Sequence, residues 1–242
     1  MHLKFVIPLF FCALLSVIVG CEPENQAPTP IAGNASQAEN QGSTELPRGT
    51  GFDFYVLSLS WSPSYCEAEG EDANRQQCSA GRPYAFVVHG LWPQYERGYP
   101  ADCTTEEREV SSETLRTLYD IMPSGGLIRH QWRKHGTCTG LSQKSYFKVL
   151  RAARERISIP PEFVQLQTYQ TIAPSVAEQA FLDSNPGLSK EGISVDCDRR
   201  FLRDVRICMT QDLQFRPCRE VDRRSCRLPK VVMPPVRVGR SG

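Results

Sequence analysis

Ten cysteines are spread along the 242-residue chain, and their placement restricts the fold more than any other feature. Cys12 and Cys21 fall in the N-terminal stretch MHLKFVIPLFFCALLSVIVGC, which carries one lysine, an apolar run and then small residues. That run is too short and too early for a membrane span, and residues 1–21 read as an export signal. The remaining eight are Cys66, Cys78, Cys103, Cys138, Cys197, Cys208, Cys218 and Cys226. Their number is even, and in a compartment that oxidises thiols four disulfides are the natural use. A zinc cluster is the competing use, but no CxxC pair occurs and the spacings are wide.

Cys21 has two readings. Ile18-Val19-Gly20-Cys21 resembles the processing site of bacterial lipoproteins, in which the cysteine becomes the lipidated first residue and tethers the protein to a membrane. The alternative is ordinary signal cleavage between Gly20 and Glu24, leaving a soluble periplasmic or extracellular protein. Residues 22–50 are rich in Pro, Gly, Ser, Gln and Glu and contain no aromatic residue, so they read as a flexible leader. The folded domain is expected over residues 51–242, a length that can bury a substantial core.

Within that domain, aromatic and aliphatic residues alternate with others from Phe52 to Trp61, the period of a strand. A polar loop is expected from Glu67 to Pro83, which a Cys66–Cys78 bridge would staple, and YAFVVHGLW then reads as a buried strand ending near His89. Thr104–Met122 has helix spacing, with Ser111 or Ser112 as a cap and Gly125-Gly126 as its end. LIRHQWRKHGTC reads as a short helix stopped by Gly136, and QKSYFKVLRAARERI as a longer one with Tyr146, Phe147, Leu150 and Ala153 on one face. PEFVQLQTYQTI and PSVAEQAFLDS open with prolines suited to a first helical turn. GISVDCD, RDVRICMTQ and LQFRPC return to strand character. Strands, then helices, then strands predict an α+β fold: a central, largely antiparallel sheet packed with several helices and stabilised by disulfides.

The chain has four histidines, and apart from His2 all lie in FVVHGLWPQ or HQWRKHGTC. His130 and Lys134 share one helix face, as do Gln131 and His135. Three histidines can hold a catalytic zinc, but His130 and His135 are five apart, unlike the i, i+4 pair of HExxH, and Lys134 would set a positive charge beside the metal. The other chemistry is metal-free cleavage of an RNA phosphodiester. One histidine removes the 2′-OH proton, a second protonates the departing 5′ oxygen, and nearby cations stabilise the phosphorane. It needs no cofactor, and its need for a 2′-OH excludes DNA as a substrate.

HGLWPQ and HQWRKHGTC resemble the two active-site segments of the ribonuclease T2 family, secreted or periplasmic endoribonucleases of α+β fold. The resemblance extends from DFYVLSLSWSPSYC to RDVRICMTQDLQFRPC, over residues 51 to 228. It implies cleavage of single-stranded RNA through a 2′,3′-cyclic phosphate to 3′-phosphate ends, with weak base preference. His89 matches the general acid, His135 the general base, His130 the auxiliary phosphate-site histidine and Lys134 the transition-state lysine. It also implies disulfides Cys103–Cys138, Cys197–Cys226 and Cys208–Cys218, with Cys66–Cys78 as the remaining pair. The residues alone leave roughly a hundred connectivities open.

Trp92, Tyr95 and Tyr99 are candidates for stacking on a base, although the segment after Gln94 departs from the family pattern. Gln131 is a second departure, since HEWxKHGTC commonly has glutamate there; glutamine keeps hydrogen bonding but supplies no charge. Turnover with weaker electrostatic support is one consequence; a non-catalytic RNA- or surface-binding module is the other. The charge is also uneven: residues 197–242 hold twelve Lys and Arg against five Asp and Glu, a basic excess able to steer a polyanion.

Overall fold

A computed structural model describes residues 45–79 and 82–237. The expected export signal, Cys21 and the expected leader up to residue 44 lie outside the described residues. In chain order the described elements are β1 (Phe54–Trp61), α1 (Ser62–Glu69), α2 (Arg75–Cys78), β2 (Phe86–Gln94), α3 (Ser112–Arg116), α4 (Gly125–Lys134) and α5 (Gln143–Glu155). They continue with α6 (Pro161–Val164), β3 (Gln170–Ile172), α7 (Pro174–Ser184), β4 (Ile193–Cys197), β5 (Leu202–Met209), α8 (Arg219–Asp222) and β6 (Val231–Met233).

Four strands form an antiparallel sheet in the order β2-β1-β5-β4, and the fold is α+β with this sheet at its centre. The alternation in FYVLSLSW gives the sheet two different faces. Tyr55, Leu57, Leu59 and Trp61 are fully buried and pack with Ile128 and Trp132 of α4, Tyr146 and Leu150 of α5, and Phe181 of α7. On the opposite face Phe54 and Val56 join Cys208 and Cys218 in a small cluster flanked by Trp92 and Val221. Beyond it this face turns polar, with Ser58 opposite Arg206 and Ser60 opposite Asp204.

Several local assignments differ from the sequence expectations. Helices α1 and α2 occupy most of the stretch after Trp61, with Pro63 in a first turn that needs no N–H there, and Asn74 capping Gln77 N–H at 3.2 Å. Only Ser112–Arg116 of the expected Thr104–Met122 helix is helical, capped by Ser111. Residues 104–110 are drawn into tertiary bonds instead: the Glu107 carbonyl accepts from Trp132 Nε1, and its carboxylate accepts from Gln143 N at the start of α5 (3.1 Å). Gly125-Gly126 end no helix; they open α4, whose cap is Ser124.

Within PEFVQLQTYQTI the helix stops at Val164, and Gln170–Ile172 pairs with Val231–Met233 in a two-stranded sheet. LQFRPC is no strand: Leu213 adopts φ 59° in a tight turn closed by Thr210 N–H to Gln214 O (2.8 Å), leaving one bridge between Met209 and Phe215. The expected leader extends to Thr50, but its last residues dock on the domain. Leu46 packs against the core, Arg48 Nε donates to Asp212 (2.9 Å), and Thr50 N donates to Thr139 O (2.8 Å).

Disulfides join Cys66 to Cys78, Cys103 to Cys138, Cys197 to Cys226 and Cys208 to Cys218. The second of these holds the segment before α3 to the short 3₁₀ turn that follows α4. Gly136 opens that turn beneath two buried aromatic rings. A Cβ at this position would meet Trp132 Cζ3 and Tyr146 Cδ1 at 3.0 Å each, with Trp132 Cε3 closer still. The Gly136→Ala variant is expected to lose about 1–3 kcal/mol to overpacking, read as a lower urea midpoint of the oxidised protein. An unchanged midpoint would show that the rings yield freely.

Candidate active site

The polar face of the sheet and α4 enclose a cleft of about 320 Å³. His89, His130, Gln131, Lys134 and His135 all line it, together with Trp92, Tyr95, Tyr99 and Arg206. Every non-cysteine residue singled out from the sequence as a site candidate in the described region therefore reaches one cavity.

His89 does not sit at the end of its strand. It lies in the middle of β2, where the register with β1 slips: Leu59 pairs with Val88 and Ser58 with Gly90, leaving His89 as the extra residue of a bulge. Bulges bend a strand locally and re-aim side chains. Here the imidazole is re-aimed across the polar face, where its Nδ1 meets Asp204 Oδ1 at 3.2 Å. About a third of the side chain stays exposed to the cleft.

The other histidines come from α4 and its C-terminal end. Residues three to four apart share a helix face, so His130, Gln131 and Lys134 present a common edge to the cleft. His135 follows as the residue that ends the helix, at φ −123° and ψ −47°. Its placement is fixed from behind. Asp102 N donates to Lys134 O (2.9 Å), and the adjacent Cys103 is bonded to Cys138. The His135 ring is buried, with Nδ1 lacking any hydrogen-bond partner. Burial above all, then the charges of Lys134, His130 and His89, pushes its pKa down to about 3. His130 is exposed, yet its pKa is also lowered, by partial desolvation first and then by Lys134, Arg133 and His89, with Asp102 opposing.

Trp92 stands between the two sets. Its Nε1 donates to Gln131 Oε1 (2.7 Å), and its ring centroid lies 5.3 Å from that of His89 and 5.4 Å from that of His135. Gly90 makes room for this bond, since a Cβ there would come within 2.7 Å of Gln131 Cδ. Trp132, by contrast, is buried in the main core. Tyr95 and Tyr99 are 42% and 49% exposed, carried on a turn closed by Tyr95 N–H to Gly98 O and fastened by Gly98 N–H to Glu220. The Tyr99 ring centroid lies 6.4 Å from that of His135.

Sequence reasoning missed Asp204, Arg206 and Ser60. Ser60 Oγ donates to Asp204, and Arg206 bonds Asp196 (2.8 Å) while its guanidinium lies 5.4 Å over the Trp92 ring. A signal was present in RDVRICMTQ. In a strand of the stated period, Asp204 and Arg206 alternate with Val205 and Ile207, so one face of a central strand had to hold charge.

The model of the Ribonuclease T2 family matches residues 52–218. A ribonuclease of Aeromonas hydrophila is 38% identical over 165 residues, covering 66% of this chain and 73% of its own. A probable ribonuclease of Haemophilus influenzae is 33% identical over 107 residues, covering 39% of each chain. Among solved structures, trichomaglin, described as a novel S-like ribonuclease, superposes with a TM-score of 0.62 at 20% identity, covering 77% of this chain and 99% of its own; that likeness speaks to the fold. With the family pattern spanning most of the chain and a ribonuclease-like enzymatic role resting on that kinship, the protein belongs to the ribonuclease T2 family.

Proposed function

We propose that this protein is an exported endoribonuclease that cleaves single-stranded RNA by metal-free acid-base transphosphorylation. The observation that carries the reading is the gathering of His89, His130, Lys134 and His135 around one cleft. In the proposed reaction His135, neutral at rest, takes the 2′-OH proton as O2′ attacks phosphorus. His89 delivers a proton to the 5′ oxygen as its bond to phosphorus breaks. Lys134 and His130 face the non-bridging oxygens, where negative charge builds up. The products are a 2′,3′-cyclic phosphate and a free 5′-hydroxyl; later hydrolysis gives the 3′-phosphate.

Tyr95 and Tyr99 offer stacking surfaces, which accept any base and so favour low base specificity. Trp92 contributes by holding Gln131 and lining the cleft between His89 and His135. DNA lacks the 2′-OH and would bind without being cut. An oxidising compartment suits the four disulfides, and residues 1–21 supply the export signal, with Cys21 either lipidated as a membrane tether or removed with it.

The test is to incubate the purified oxidised protein with a short RNA and its DNA counterpart in EDTA and read the ends by mass spectrometry. Cyclic phosphate is expected from RNA alone. RNA binding without product would leave a non-catalytic module, and loss of activity in EDTA would point to a metal. His135→Ala is expected to lower turnover by about 10²–10⁴-fold; near-full activity would remove His135 from the role of base.

The pH profile carries a further expectation. A base must be unprotonated, and His135 keeps its neutral form down to about pH 3, so the acid limb of kcat/KM should lie well below the ordinary histidine value of 6.5. Gln131→Glu places a carboxylate one turn before His135, favours the imidazolium and should move that limb to higher pH. Superimposable profiles for the two proteins would contradict the assignment.

A further inference from the structure

Beneath His89 lies a polar network that the proposed reaction does not use directly. His89 belongs to β2 and Asp204 to β5, and β1 runs between them. Neighbouring strands are roughly 4.8 Å apart, so an imidazole from β2 reaches β5 only by passing over β1. The β1 residues on that face are Ser58 and Ser60, small enough to let a ring cross; the bulge at His89 gives the ring its direction. A larger side chain at either serine would stand in the way.

At the far end Asp204 is 6% exposed and its carboxylate has three partners. Oδ1 accepts from Ser60 Oγ and faces His89 Nδ1 at 3.2 Å, while Oδ2 faces Arg206 Nη2 at 3.9 Å. Asp196 lies directly opposite Asp204 on β4, an arrangement of like charges that Arg206 relieves by bonding Asp196 at 2.8 Å. Burial by itself would raise the Asp204 pKa, but the hydrogen bonds from His89 and Ser60 and the charges of His89 and Arg206 outweigh it and hold the carboxyl below its ordinary range. The acceptor offered to Nδ1 is thus an anion held in place from three strands.

We propose that Asp204 is a positioning residue for His89: it accepts a hydrogen bond from Nδ1–H, fixes the tautomer and plane of the ring, and so turns Nε2 toward the substrate as the proton donor. This rests on the ribonuclease reading given above. Histidine in water prefers the tautomer protonated on Nε2; a carboxylate at Nδ1 imposes the opposite one. When the P–O5′ bond breaks, the Nε2 proton passes to O5′ and the ring is left neutral with its Nδ1 proton still directed at Asp204. No proton moves to the carboxylate. Asp204 touches neither phosphate nor leaving group, and it acts only through the ring.

The experiment compares the wild type with Asp204→Asn on two substrates. In uridylyl-3′,5′-adenosine the leaving group is a ribose 5′-hydroxyl, which departs only with a proton. In uridine 3′-(4-nitrophenyl phosphate) it is a phenoxide, which departs without one. Asn keeps the size of the side chain but can present an N–H where Nδ1 needs an acceptor. The expected result is a fall in kcat of about 10²-fold on the dinucleotide, with KM changed less than about threefold and the aryl ester cleaved at nearly the wild-type rate. Equal losses on both substrates would mean a general structural role, and no loss on either would mean no role; both overturn the inference. A wild type that cleaves neither substrate would instead overturn the ribonuclease reading, and the inference with it. A second measurement needs no variant. Nitrogen-15 NMR of His89 in the wild type, at a pH where the ring is neutral, should show the proton on Nδ1; a proton on Nε2 would overturn the inference even if Asp204→Asn failed to fold.

Discussion

The cleft depends on how α4 docks against β2, the edge strand of the sheet. The docking is fixed at three depths. Trp132 anchors the helix in the main core, and Tyr146 of α5 closes it from behind with an O–H bond to Leu91 O (2.9 Å). Along the cleft wall Trp92 and Gln131 join strand to helix directly. Past the helix end, Cys103–Cys138 and the Asp102–Lys134 backbone bond limit where His135 can go. Two glycines make this closeness possible, Gly90 beneath Gln131 and Gly136 beneath Trp132, and neither has space for a methyl group. The imidazoles carried by β2, by α4 and by its C-terminal end line one cleft because packing brings their backbones together at this edge.

A sheet with one apolar face can afford a polar one opposite. Most of the large aromatic and aliphatic residues of β1 and β5 go to the helix side, Phe54 and Val56 excepted, and there Phe86 meets Trp61 at a tilt and Phe181 edge to face. This apolar burial is the main stabilising term, and it leaves the other face available for serines, carboxylates and an arginine on central strands. That face carries its own cost. Ser58 Oγ and Arg206 Nε are buried without partners, and Asp196, raised in pKa mainly by burial, sits opposite another acid. Polar groups left short of partners at the base of a cleft are a place where function is favoured over stability.

Much of this was legible in the sequence because it rested on local pattern. The alternation in FYVLSLSW, the apolar stripe of α5 and the spacing of HQWRKH specify element type without reference to distant residues. The elements that were misread are those decided by distant partners. Glu107 gives up helix to serve Trp132 and Gln143, residues 25 and 36 positions away. Gln170–Ile172 is a strand only because Val231–Met233 lies beside it. His89 looked terminal because a bulge has no signature in one strand's sequence; it exists only as a mismatch between two registers. For the same reason the meeting of His89 with Asp204, 115 positions apart, could not be read before the sheet order was known.

The electrostatics of the cleft favour an anionic ligand. His130, Lys134, His135 and His89 face one another, and their mutual repulsion adds to burial in disfavouring the protonated form of the two α4 histidines. The carboxylate paired with a histidine here, Asp204, lies on the sheet side, away from α4. A phosphodiester entering the cleft would add negative charge beside these groups and raise the proton affinity of His130 and His135. In the proposed reaction that rise would help His135 hold the 2′-OH proton and would favour the cationic form of His130 beside the phosphate. Gln131, one turn before His135, accepts a hydrogen bond from Trp92 and supplies no charge, so under the proposed reaction more of the electrostatic support falls to the substrate. Under the proposed mechanism, burial keeps the imidazole at 135 uncharged and therefore open to a proton, and the neutral amide at 131 does not oppose this.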